Sequence, residues 1–429
     1  MKKRRKPNGA VRAAVAMLSV PVAMLLLAGV VTGASTAPAS ASTGKAPILI
    51  GFVTDESGPA SSTYTDAFDG AEARVDAQNA IGGVNGHKLE LVEEDDQSTP
   101  TGNLTASQVL LSKGVFGIIE DASGTFGSAH YLHQHGIPVV GAAVDGPEWG
   151  QQPNTNMFSV IGIPTTPING YTYTYSSTGP QLKALGVNKL AQIVFNTPSA
   201  IQAANTFFDT AKSSGVSKCL DSLVPPGNAD FAPVVLQMKN LGCNGVIVIS
   251  VLSTCVALAQ DLKQANLSNV KLICETGYDQ NLLNQPTALA AMQGTFITLP
   301  EINVLAKNPP PPVKLFLDRL NKYTTWPGGI PNPELDYAYE SADATILGLE
   351  HAGANPSRAA FIKYLRGDSD YTVEGLLTSP IIFSHFGTVG MFAKQQCAPI
   401  LEIEGKSYVP FDHGRQICGN LVKGAAATG

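Results

Sequence analysis

Hydrophobic and polar positions settle into a repeating plan once the first 45 residues are passed. An apolar run from Ile48 to Val53 breaks at Ser57-Gly58-Pro59, which reads as a buried strand ending in a loop. Ala67, Phe68, Ala71, Val75 and Gln78 then recur three or four apart, with Glu72, Arg74 and Asp76 between them, so a helix is predicted from Asp66 to Ala80. Gly82 and Gly83 stop it, and Gly82-Gly83-Val84-Asn85-Gly86 turns the chain into a second strand, Lys88 to Glu93. The opening is therefore strand, loop, helix, strand.

The same alternation continues. A helix from Thr101 to Ser112, a strand from Val115 to Ile119, a helix from Phe126 to His135, a helix-to-strand passage over Gly136 to Val144 and a strand from Phe158 to Ile163 complete a first α/β unit. Pro164 to Pro167 looks like a crossover. Beyond it the pattern predicts helices at Thr172 to Leu185, Ala200 to Ser213, Pro233 to Leu241 and Thr254 to Ala265, with strands at Leu190 to Phe195, Val246 to Val251 and Val270 to Cys274. Gly294 to Leu299 reads as a strand leading back to the first unit. Pro309 to Pro312 then introduces a helix from Val313 to Tyr323, followed by helices at Tyr337 to Ala352 and Ser357 to Arg366. Short strand patterns from Ile381 to Val409 suggest a terminal β-rich segment.

The amino-terminal stretch is of another kind. Met1-Lys2-Lys3-Arg4-Arg5-Lys6 precedes an apolar run from Ala13 to Val31, and Ala39-Ser40-Ala41 offers small residues for cleavage, the plan of a secretory signal peptide over residues 1–41. An uncleaved membrane anchor is the competing reading, and Pro21 with the Ser/Thr/Ala/Pro-rich stretch after it favours cleavage. Losing the six positive charges before residue 42 takes the formal charge from -6 to about -12. An acidic chain with no cluster of Lys and Arg among aromatics is a poor partner for nucleic acid.

Candidate chemistry gathers in loops that follow strands, where open α/β sheets place their ligands. Ser57 to Tyr64 is one such loop, and Ser123-Gly124-Thr125 is another, with hydroxyls and N–H groups at a helix start suited to an anion. His130, His133 and His135 do not share one helical face and lack acidic or thiol companions, so no metal or cofactor is expected. Glu93-Glu94-Asp95-Asp96 reads as a solvated charge run. No nucleophile elbow, zinc-protease, phosphate-loop or dinucleotide motif occurs, so a binder is expected and an enzyme is not.

The order Gly58-Pro59, Gly70-Ala71-Glu72-Ala73, Asn79-Ala80, Gly82 to Gly86 and Asp95-Asp96-Gln97-Ser98 resembles the leucine-isoleucine-valine-binding protein family of extracytoplasmic receptors. That resemblance implies a two-lobed type I periplasmic-binding-protein fold, each lobe a mostly parallel sheet flanked by helices, with hinge crossovers between them. It places one lobe at 46–165 plus 296–385 and the other at 166–295 plus 386–425. It also implies a monomer that captures a small-molecule ligand between the lobes and delivers it to ABC permease subunits in the membrane. No cysteine precedes Cys219, so the lipid tether of many such receptors is not expected, and the chain is read as secreted or held in a bacterial cell envelope.

The site implied by the resemblance comprises Tyr64, Ser123, Gly124, Thr125, Ala142, Ala143, Val144, Ala200, Glu275 and Tyr278. Several of these depart from the family pattern. Val144 stands where a threonine hydroxyl holds the ligand carboxylate, Asn196-Thr197-Pro198-Ser199-Ala200 replaces a Tyr-Gly loop, and Thr276 rather than an acid precedes Gly277, with Glu275 one place back. These departures point to a ligand more apolar or less zwitterionic than a branched-chain amino acid. A true branched-chain binder and a ligand sensor without transport are the alternatives. An even number of cysteines in a secreted chain suggests disulfides, and sequential pairing is expected: Cys219 with Cys243, Cys255 with Cys274, Cys397 with Cys418.

Overall fold

Two sheets organise the chain. The computed structural model describes residues 45–426, apart from 143–145, 162–166, 175, 226–227, 229, 299–301, 303, 306–307, 378–379 and 392–393. The signal segment, Ala143, Val144 and most of the crossover expected at Pro164 to Pro167 lie outside the described residues. Among the described residues no helix is long and apolar enough to cross a membrane.

The first sheet has five parallel strands, ordered in space His87–Asp95, Lys45–Thr54, Gly117–Asp121, Val139–Gly141 and Met157–Ser159. One face is covered by the helices Ala67–Ala80 and Pro333–His351, whose apolar side chains join Ile50, Phe52 and Ile119 in one core. The pair approaches closely because Gly70 has no side chain. A Cβ there would stand 2.0 Å from the Leu335 carbonyl oxygen, which gives the Gly70-Ala71-Glu72-Ala73 motif a packing reason. Helix Pro100–Ser112 covers the other face, with Leu110 packed on Val53 and Ile118.

The second sheet has seven strands, ordered Ser407–Pro410, Leu401–Glu404, Phe296–Ile297, Lys271–Cys274, Gly245–Ile249, Lys189–Phe195 and Ser217–Val224. Its centre is parallel, and the late strands 401–404 and 407–410 add antiparallel at one side. Two layers of helix and sheet thus occur twice in one chain, the architecture of a two-lobed α/β protein. The long stretch from Pro311 to Leu365 returns to the first core, and Pro311 and Pro312 open its first helix as the proline run suggests.

Three segments differ from the sequence reading. Tyr171–Thr174 is a strand and the helix begins only at Thr178, because Tyr-Thr-Tyr-Thr suits a pleated edge and pairs antiparallel with Val422–Ala426. Ser217–Val224, assigned to nothing from its polar pattern, is the edge strand beside Lys189–Phe195. Phe126 to His135 also shortens to a turn of 3-10 helix followed by Ala129–Gln134.

The cysteines pair sequentially. Cys219–Cys243 ties the edge strand to the end of the neighbouring helix, Cys255–Cys274 joins a helix start to the following strand inside the second core, and Cys397–Cys418 links two antiparallel strands. The first bridge closes a loop of 24 residues, so replacing both Cys219 and Cys243 by alanine is expected to lower unfolding free energy by about 3 kcal/mol. Denaturant titration of the oxidised protein beside the variant measures it.

Candidate functional site

The carboxyl ends of the first sheet's strands carry an unusual density of acids. Asp55 follows the first strand, Asp95 ends the second with Asp96 directly after it, and Glu120 and Asp121 end the third; of these, Asp55, Asp96, Glu120 and Asp121 are almost wholly buried. The expectation that Glu93 to Asp96 is a solvated run therefore fails for Asp96, which is 0% exposed because the loop Gln97 to Thr99 folds back over it. Burial, with Asp55 beside it, pushes the Asp96 carboxyl well above the usual carboxylate range.

Ser123 shows what these acids do. Its N–H donates to Asp55 Oδ2 at 2.8 Å and its hydroxyl to Asp55 Oδ1 at 3.1 Å. Thr125, 0% exposed, turns its hydroxyl inward to Glu120 Oε2 at 3.3 Å, where Asn103 Nδ2 also donates at 2.9 Å. The two hydroxyls expected to hold a ligand carboxylate are thus engaged by carboxylates of the chain itself. Gly124 is buried between them, its α-carbon side facing Thr99 and the Asp96 carboxyl.

On the second lobe, Glu275 is half-buried and accepts from the Thr298 N–H at 3.0 Å and from the Thr298 hydroxyl. Its carboxylate therefore braces the neighbouring strand. Tyr278 follows on the same loop, 1% exposed, its ring edge-on to Tyr408 at 5.1 Å. Ala200 sits in the first turn of helix Pro198–Ser213, half-buried, its N–H taken by the Thr197 cap. Tyr64 and Ala142 are buried on the first lobe.

The lobes touch on one side of this region. The Leu252 N–H donates to Thr63 Oγ1 at 3.3 Å, and Asn281 Nδ2 donates to Asp66 Oδ2 at 2.6 Å. Asp279, which caps the short helix Gln280–Leu283 through the Asn281 N–H, is pushed up to about 7, first by burial and then by Asp66 across the contact. Ser123, Thr125, Tyr64 and Ala142 thus belong to one lobe and Ala200, Glu275 and Tyr278 to the other. The sequence reading gave no role to Asp55, Asp121, Glu334 or Asp336. The available signal was an acid placed directly at the end of an apolar strand or in the first turn of a long helix.

Two α/β lobes, each built on a mostly parallel sheet, thus bring loops that follow their strands into contact. The chain belongs to the periplasmic binding protein family, whose model matches residues 47–406. It is 24% identical over 209 residues to Leu/Ile/Val-binding protein homolog 3 of Brucella melitensis, a match covering 48% of this chain and 55% of that protein. The chain thus aligns with about half the length of the curated relatives it matches. Among solved structures, the leucine-binding protein LivK of Thermotoga maritima superposes with a TM-score of 0.70 at 14% identity, over 86% of this chain and 98% of that one. A solute-binding protein of R. palustris in complex with benzoate superposes with a TM-score of 0.68 at 15% identity, over 89% and 98%. At such identities these structures show the fold alone.

Proposed function

We propose that this chain captures a small organic solute between its lobes and delivers it to an ABC importer, and that the solute is not a zwitterionic branched-chain amino acid. The carrying observation is the pairing of Ser123 with Asp55. An incoming carboxylate would have to displace Asp55 from both donors and leave its buried carboxyl without them, which costs several kcal/mol. Glu275 is likewise held by Thr298, so the acid nearest to the expected ammonium position serves the scaffold. Leucine and benzoate belong to the relatives' pockets and do not transfer to this one.

Mass spectrometry of small molecules released on denaturing the purified protein tests the reading, together with a thermal-shift screen. Leucine, isoleucine and valine are expected to leave the midpoint unchanged. A rise of several degrees with any of the three overturns the ligand assignment. The solute that does bind is expected to make the protein more compact in solution scattering without being turned over. Asp55→Ala is expected to free the Ser123 donors, giving weak carboxylate binding where the parent has none, at a stability cost of about 1–3 kcal/mol.

A further inference from the structure

Several polar atoms at the first sheet's carboxyl edge are buried without any hydrogen-bond partner: Thr54 Oγ1, Asn332 Nδ2 and, from the second lobe, the Tyr278 hydroxyl; the almost wholly buried Asp121 carboxyl faces another acid, Glu334. Buried polar atoms in folded proteins are nearly always bonded, and an exception marks a place where water, an ion or a ligand belongs. These atoms are not scattered. Thr54 and Asp121 are register partners on adjacent strands, on the face that carries Phe52 and Ile119 toward the Pro333–His351 helix. Asn332 caps that helix through the Leu335 N–H at 2.8 Å, and Glu334 and Asp336 occupy its first turn.

Charge decides what fits. The groups acting most strongly on Asp121 are Glu334, then Asp55 and Glu120, all of them acids, and burial holds its carboxyl well above the usual range. Asp336 acts in turn on the Tyr278 hydroxyl. Water would satisfy the orphaned atoms but leave the charge uncompensated. The helix amino end offers only about half a positive charge. Arg74, the buried base on this face, is already committed to Asp343. Burial and the adjoining Glu334 carboxyl keep Asp121 protonated.

We propose that this is a cation subsite, in which an ammonium or amidinium group of the ligand enters between Asp121 and Glu334 and meets the Tyr278 hydroxyl from the opposite lobe. The assignment rests on the solute-receptor reading and narrows its ligand to organic cations. The ligand enters protonated, Asp121 ionises against it, and the proton Asp121 held leaves to the buffer. Tyr278 reaches the cation only when the lobes meet, so binding and closure are coupled.

The test uses the full mature chain in titration calorimetry at pH 8. Benzylamine, isobutylamine and benzamidine serve as probes, with benzoate, isovalerate and benzyl alcohol as isosteric controls. The amines or the amidine are expected to bind and the controls not. The binding enthalpy should differ between phosphate and Tris by the ionisation heat of about one proton. Asp121→Asn is expected to weaken binding at least tenfold and abolish the proton release, while Asp121→Leu, which removes a buried charge without enlarging the site, should also fail to bind and should fold. Binding of a control without binding of any amine overturns the cation subsite and leaves the receptor reading standing, as does amine binding unchanged in both Asp121 variants. Silence from every probe overturns the subsite as well. The receptor reading falls separately if the purified protein neither releases a solute nor compacts with any.

Discussion

The protein will be harder to unfold at pH 5 than at pH 9. Asp279 is raised from 3.8 to about 7, Glu72 rises to about 6, and Asp96 and Asp121 are held above the carboxylate range, burial being the first cause in each. Each of these groups binds its proton more tightly folded than unfolded. Stability from them is therefore complete below about pH 4 and is lost progressively as pH rises toward and through the folded values, about 6 for Glu72 and about 7 for Asp279. For Asp279 alone the change from 3.8 to about 7 corresponds to about 4 kcal/mol over the full window. Asp95 and Glu374 are shifted downward and work in the opposite sense, but only below the ordinary carboxylate range. Urea midpoints between pH 5 and 9 measure the slope, and a midpoint that climbs toward pH 9 would contradict it. Asp279→Asn should flatten the profile.

The location of Asp279 gives this profile a functional side. Its partner Asn281 reaches across to Asp66, so the carboxyl that ionises near neutrality stands at a contact between lobes. As pH rises, the Asp279 carboxyl gains its charge near Asp66, the two being linked through the backbone N–H and the side-chain amide of Asn281. Closure and stability are then expected to weaken together, which the scattering experiment reads at the same two pH values.

What the sequence made legible follows from the range of the interactions involved. The opening strand, helix and turn were readable because their periodicity and glycines are local. Gly83 takes φ +79 in the turn, and a Cβ there would meet the His87 carbonyl oxygen, so the glycine pair both stops a helix and starts a strand. Tyr171–Thr174 was misread because its partner strand begins at Val422, and alternating Tyr and Thr carries helix and strand signals alike until that partner is present. Ser217–Val224 was missed because an exposed edge strand needs no apolar alternation; Cys219 was its one landmark.

The site was legible as a set of loops and not as a set of contacts. Ser123 and Tyr278 lie at strand ends, as the loop rule requires. Which way the Ser123 hydroxyl turns depends on Asp55, 68 residues earlier, and no spacing within either loop reveals that pairing. A carboxylate at a strand end looks the same in sequence whether it is solvated, like most charge runs, or folded under a loop, like Asp96. The difference lies in whether a later segment covers it.

Arg74→Ala will be the most damaging single substitution in the first core, lowering unfolding free energy by about 3–5 kcal/mol. Arg74 Nε lies 2.6 Å from Asp343 Oδ1, and both side chains are 6% exposed. The guanidinium also donates to Gln78 Oε1 at 3.1 Å and lies 3.9 Å from Glu374. It thus sits between the Ala67–Ala80 and Pro333–His351 helices, the two that Gly70 allows to touch. Removing it strands Asp343 in a site where burial already raises its carboxyl and where Tyr371 supplies one further donor at 3.2 Å. Because an unpaired buried charge costs more than an absent pair, Arg74→Met combined with Asp343→Leu should regain most of the loss. Recovery of less than half would mean that the pair contributes through packing and the wider polar network instead of through charge compensation. The same helix carries Glu334 and Asp336 at its amino end, so slackening its seat should also blur the geometry of Asp121 and Glu334. An Arg74→Met, Asp343→Leu protein that refolds fully yet loses amine selectivity would show that the ion pair positions the helix for binding as well as holding it in place.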